Sequence, residues 1–124
     1  WKAVGRALVE WIERAASGRP VVLLAHNARF DLGFLASENA RCQLGPLPEG
    51  WLAVDTLEVF RAAFPGLKSH RQPSVYKHVV GKEPEGQHSA LGDVRALAEL
   101  CSHATVEPLL GSSARLLREF AAKK

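Results

Sequence analysis

The stretch Val21-Val22-Leu23-Leu24-Ala25-His26-Asn27-Ala28-Arg29-Phe30-Asp31 decides the fold. Its first five residues form an unbroken apolar run rich in β-branched side chains. That is the pattern of a strand covered on both faces, as in a parallel sheet. A polar pair follows, and helical spacing then runs from Phe30 to about Leu44, where Gly45-Pro46 ends it. A buried strand that passes directly into a helix is the building unit of an α/β layer structure.

Upstream, the apolar residues Val4, Leu8, Trp11, Ile12 and Ala15 keep helical spacing from Trp1 to Ala16, with Trp11 expected in the core. Ser17-Gly18-Arg19-Pro20 stops that helix. Downstream, a loop over 46–50 leads to a short strand from Trp51 to Val54. Asp55-Thr56 can cap a helix reaching Phe64, which Pro65-Gly66 terminates. Pro73 opens a further helix through about Val80, closed by Gly81, and 82–87 form a loop. Helices are expected over 89–103 and 112–122, the second with Leu116, Leu117 and Phe120 on one face.

At 124 residues the chain suits a single domain spanning 1–124. Two short strands do not make an independent sheet, since sheets commonly hold about five or six. The run at Val21 needs neighbours on both edges, so the expectation is a partial domain whose first strands lie upstream of Trp1.

With 47% apolar and 23% charged residues the composition excludes disorder. The net charge of +3 suits a polyanionic partner without requiring one. Cys42 and Cys101 stand far apart at no metal-ligand spacing, and read as small buried thiols of a reducing compartment, nucleus or cytoplasm. No apolar run has membrane-spanning length, so no membrane partner is expected. Homodimerisation is compatible with everything in the composition.

Three residues carry the chemistry. Asp31 follows the strand's carboxyl end, where open α/β sheets usually bind ligands. His88 and Asp93 lie in His88-Ser89-Ala90-Leu91-Gly92-Asp93. On one regular helix, residues five apart point about 140° apart. If Ser89 caps the helix, His88 stays on the loop and its imidazole can fold back over the carboxylate. Taken singly, each has a commoner role: Asp31 and Asp93 as acids complementing a helix dipole, His88 as a surface histidine.

In order along the chain, these motifs resemble the DEDDh 3′→5′ exonuclease family of the ribonuclease H-like fold, particularly its three-prime repair exonuclease branch. The resemblance is carried by His26-Asn27 with Asp31, Val54-Asp55-Thr56, Lys68-Ser69 before Tyr76, and His88 through Val94, so it runs from about Pro20 to Cys101. It implies an enzyme holding two Mg²⁺ or Mn²⁺ ions, which suit oxygen ligands. Asp31 and Asp93 would be metal ligands, which requires folding to bring them together. His88 would be the general base that takes a proton from the attacking water.

The chain departs from the family at one motif. The Asp-x-Glu pair that supplies the other two carboxylates has no counterpart here. Glu10 and Glu13 belong to an amphipathic helix, and Asp55 and Glu58 come too late. The two-metal site is therefore incomplete in this chain, and the isolated chain is expected to be inactive. Truncation is the simpler cause; the rival reading is a non-catalytic exonuclease-like binding or scaffold domain.

The resemblance also implies single-stranded DNA or RNA 3′ ends as partner, with DNA slightly favoured. Such a substrate calls for a basic track and stacking groups. Lys68, Arg71 and Lys77, with His70, His78 and Lys82 nearby and Tyr76 among them, are candidates, as are His26 and Asn27 beside the terminal nucleotide. A solvated basic face explains the same cluster. Arg115, Arg118, Lys123 and Lys124 say nothing about nucleic acid, because cations near a helix C-terminus are expected from the dipole.

Overall fold

The computed structural model of the chain describes residues 2–45, 47–86 and 89–121, with the backbone alone at 118 and 121. It divides into two compact units, one of residues 1–55 with 114–124, the other of residues 56–113.

In the first unit, α1 (Lys2–Ala16) leads into β1 (Val22–Ala25), α2 (Ala28–Arg41) and β2 (Leu52–Asp55), and β3 (Arg115–Leu116) and α7 (Leu117–Ala121) complete it. The sheet order is β1-β2-β3. β1 and β2 pair in parallel, in a register that sets Val22 opposite Leu52 and Ala25 opposite Asp55. The intervening α2 packs on both strands, which is the crossover a parallel pair needs. Ala28 and Leu32 of α2 are buried against Trp51, Ala53, Leu117 and Phe120.

Three expectations need correction here. β2, not β1, is the deeply buried strand: Ala53, Val54 and Asp55 are all buried, whereas on β1 the alternation leaves Val22 and Leu24 exposed. The inward stripe of α1 is Gly5, Val9 and Ile12. Val4, Leu8 and Trp11 are exposed, Trp11 by 64%. The apolar arc of α1 is wider than the face its partners cover. Finally, the expected helix over 112–122 is broken, because Arg115 and Leu116 pair antiparallel with Ala53 and Leu52. Strand pairing overrides the helical spacing there.

The second unit is helical: α3 (Thr56–Ala63), α4 (Gln72–Val80), α5 (Ala90–Cys101) and α6 (Glu107–Ser113). α3 packs on α6 and α4 on α5. Val59, Phe60, Val75, Leu100 and Val106 are fully buried in this unit. Gly81 closes α4 at φ 87°, a left-handed position that glycine adopts freely. The α/β class expected from sequence holds. Both cysteines are free thiols, Cys101 buried and Cys42 half-buried at the end of α2. Among the described residues no helix is long and apolar enough to cross a membrane.

Candidate active site

In the first unit, the parallel register brings the carboxyl ends of β1 and β2 side by side, since Ala25 and Asp55 are partners. Two residues, His26 and Asn27, separate β1 from α2, so the reversal between them is abrupt. Asn27 makes it in the left-handed conformation, φ 67° and ψ 58°. Few non-glycine residues adopt that region, and asparagine is among those that tolerate it best. The Asn27 backbone N–H donates to Asp55 Oδ1 at 2.9 Å. Asp31 stands in the first turn of α2, close enough to Asp55 and His26 to sense both charges. Its carboxyl is held above the usual carboxylate range, chiefly by the partial burial that an exposed residue still has and further by the neighbouring Asp55 carboxylate, while His26 pulls the other way.

Sequence reading missed Asp55. The signal was visible, an acid ending a strand in Val54-Asp55-Thr56, but it reads equally as a helix-start residue. Only the sheet register reveals that it lies beside the His26-Asn27 turn.

In the second unit, Ser89 caps α5 as expected, its Oγ accepting the Gly92 N–H at 3.0 Å. The same hydroxyl donates to the Gly86 carbonyl at 2.7 Å. Asp93 follows in the first turn, exposed, and its backbone carbonyl accepts from Gln72 Nε2 at 2.7 Å. His88 lies outside the described residues, so its placement is not part of this geometry. Tyr76 is buried at 6% exposure. Its hydroxyl is pushed above the usual phenol range, first by donating to the Glu99 carboxylate. Tyr76, Lys82, Glu85, Ser89, Arg95 and Glu99 line an open cleft of about 610 Å³. Cations and anions share this lining, so it is not a purely cationic cradle.

The basic candidates of this unit differ in commitment. Lys68 and Arg71 are exposed. Lys77 is exposed and pairs with Glu83 at 3.3 Å. His70 is occupied internally, its Nε2 lying 2.7 Å from the Phe64 carbonyl, and the exposed His78 packs edge-on against the Phe64 ring.

Asp31 is an oxygen donor of the kind that a hard divalent cation takes, and so in kind is the exposed Asp93 of the second unit. The donor set fits in kind and is incomplete in number. Among the described residues no group of three or more His, Cys, Asp or Glu side chains converges closely enough to hold a metal ion.

The family model described as Exonuclease matches residues 6–101, well over half of the chain. Human three-prime repair exonuclease 1 is 34% identical over 92 residues, covering 67% of this chain and 29% of that protein. The DNA polymerase III PolC-type protein of Halalkalibacterium halodurans is 38% identical over 79 residues, 64% of this chain and 5% of that protein. DNA polymerase III subunit epsilon of Treponema pallidum is 46% identical over 50 residues, 40% of this chain and 22% of that protein. The chain thus spans less than a third of each of these relatives.

Proposed function

The chain belongs to the exonuclease family, with its ribonuclease H-like fold, and from that premise we propose that it serves a metal-dependent 3′→5′ exonuclease acting on single-stranded nucleic acid ends. The observation that carries this reading is the family match over residues 6–101, a span that includes Asp31, His88 and Asp93 in the expected order. DNA is favoured over RNA, because the relatives include a repair exonuclease and DNA polymerase III proteins.

In this reading Asp31, of the first unit, and Asp93, of the second, would hold Mg²⁺ or Mn²⁺. When bound, such ions supply Lewis-acid activation of water and stabilise the charge of an in-line displacement. His88 takes the proton of the attacking water, a role suited to a group titrating near neutrality. Water adds at the terminal phosphorus, the bond from phosphorus to the 3′ oxygen of the shortened strand breaks, and that oxygen takes up a proton. Lys68, Arg71 and Lys77 contact phosphates. His26 and Asn27 approach the terminal nucleotide.

Turnover requires two more carboxylates, from an Asp-x-Glu strand that these 124 residues do not contain. The test is degradation of a 3′-labelled single-stranded oligonucleotide with Mg²⁺ or Mn²⁺. The 124-residue protein should release no label, and a protein extended on its N-terminal side by such a strand should release it. Asp93→Ala or His88→Ala in the extended protein should lower the rate by at least about 10²-fold, the usual scale for a general acid–base group. Undiminished degradation by the Asp93→Ala protein would refute the site assignment.

A further inference from the structure

We infer that Asp55 is a positioning residue: its carboxylate accepts the backbone N–H of Asn27 and so holds the left-handed turn from which α2 presents Asp31. The inference deepens the proposed function, since it rests on Asp31 being a metal ligand there.

The argument begins with burial. Asp55 is 8% exposed, and a carboxylate so far out of water needs donors. The Asn27 N–H is one of them, at 2.9 Å. That N–H is among the groups a helix start leaves without an intrahelical partner. The Asn27 side chain makes no capping bond of its own, and the Phe30 N–H that its carbonyl accepts at 3.1 Å lies within α2, so the turn needs a tie from outside the helix. The tie comes from the neighbouring strand, at the last pair of the β1–β2 ladder.

The conformation of Asn27 gives the tie its purpose. A non-glycine residue leaves the left-handed region readily unless its surroundings hold it there. Had Asn27 relaxed, the first turn of α2 would re-aim, and Asp31 is four residues on from it. Ala28 and Leu32, both buried, secure the inner face of α2. Asp31 lies on the exposed side, where core packing does not hold the carboxylate directly. A displacement of about 1 Å in a positioned group costs on the order of 10²-fold in rate, so fixing the turn matters to catalysis.

The experiment compares the 124-residue protein with its Asp55→Asn, Asp55→Ala and Asp55→Ala/Asn27→Gly variants. It reads amide hydrogen exchange at residue 27 and Mn²⁺-induced line broadening at Asp31, both by nuclear magnetic resonance. Asparagine keeps an acceptor oxygen and loses the charge, so Asp55→Asn should exchange within about threefold of the parent. Asp55→Ala should exchange at least about tenfold faster, the loss expected for a bond to a charged acceptor. It should also lose the broadening at Asp31.

Glycine adopts the left-handed turn without steric cost, so the double variant should regain that broadening. A residue acting only as bulk in the core would not be rescued by a glycine on another element. Unchanged exchange in Asp55→Ala, equal acceleration in Asp55→Asn, or failure of the double variant to recover would each overturn the inference. Should Asp55→Ala fail to fold, a folded and protected Asp55→Asn supports the acceptor role, and an unprotected one overturns it. Absence of Mn²⁺ broadening at Asp31 in the parent sinks the metal reading instead, and the exchange comparison alone then decides the turn.

Discussion

Asp31 shows what a candidate ligand does to the protein that carries it. Its carboxyl sits above the usual carboxylate range through burial first and the Asp55 charge second. A carboxyl whose folded pKa exceeds its unfolded one favours folding when protonated. Its contribution is fully present below the unfolded value and is lost as pH rises through the folded value. At neutral pH, without metal, the ionised group therefore works against the fold. Asp31→Asn should raise the melting temperature at pH 7 in chelator, with the gain vanishing at acidic pH. The gain should stay below about 1 kcal/mol, because solvent screens so exposed a carboxylate. Thermal melts across pH check this, and a lower melting temperature for Asp31→Asn at pH 7 would contradict it. Mg²⁺ should reverse the order if Asp31 binds it, since a ligand that binds only the folded state stabilises it.

The start of α5 is the element whose construction depends most on single atoms. Ser89 Oγ bridges the Gly86 carbonyl and the Gly92 N–H, and the Ser89 N–H also donates to the Gly86 carbonyl at 3.0 Å. Gly86 takes the left-handed φ of 69°. A Cβ on Gly92 would collide with the Gly86 carbonyl. Gly92→Ala should thus cost about 1–3 kcal/mol, the range for overpacking. Ser89→Ala should cost about 1 kcal/mol, the worth of a cap. Both are read by denaturant unfolding, and a Gly92→Ala protein as stable as the parent would show that the backbone approach is not tight. Local signals predicted this element well, because a capping serine before an apolar period is short-range information. The C-terminal segment was misread for the opposite reason. Nothing within 112–122 announces that Arg115 and Leu116 would leave the helix to pair with β2.

For the whole molecule, the decisive long-range property is charge. Lys and Arg number 16 against 13 Asp and Glu. The exposed Lys68 and Arg71 add to a modest positive field, while Lys77 already shares its charge with Glu83. Binding of a single-stranded oligonucleotide should accordingly be weak, indifferent to base sequence and steeply dependent on salt. With three phosphates neutralised, a log–log slope of about −2 is expected, and Lys68→Glu with Arg71→Glu should flatten it. Fluorescence anisotropy titrations at several salt concentrations measure this. An affinity independent of salt would remove the basic track from the site.

What the sequence determined by itself is what neighbouring residues dictate to one another: the α/β alternation, the capped start of α5, and the types and order of the candidate groups from His26 to Asp93. Apolar period, caps and Gly/Pro stops act over a few residues, so they are legible without a fold. Tertiary structure alone decided that β2 is the buried strand, that Trp11 faces water while Trp51 is buried, and that the chain's end returns as β3. It alone also brought Asp55 to the Asn27 turn, 28 residues away. Those outcomes depend on which surfaces meet and in what register, and residues distant in the chain acquire a register only when the sheet forms.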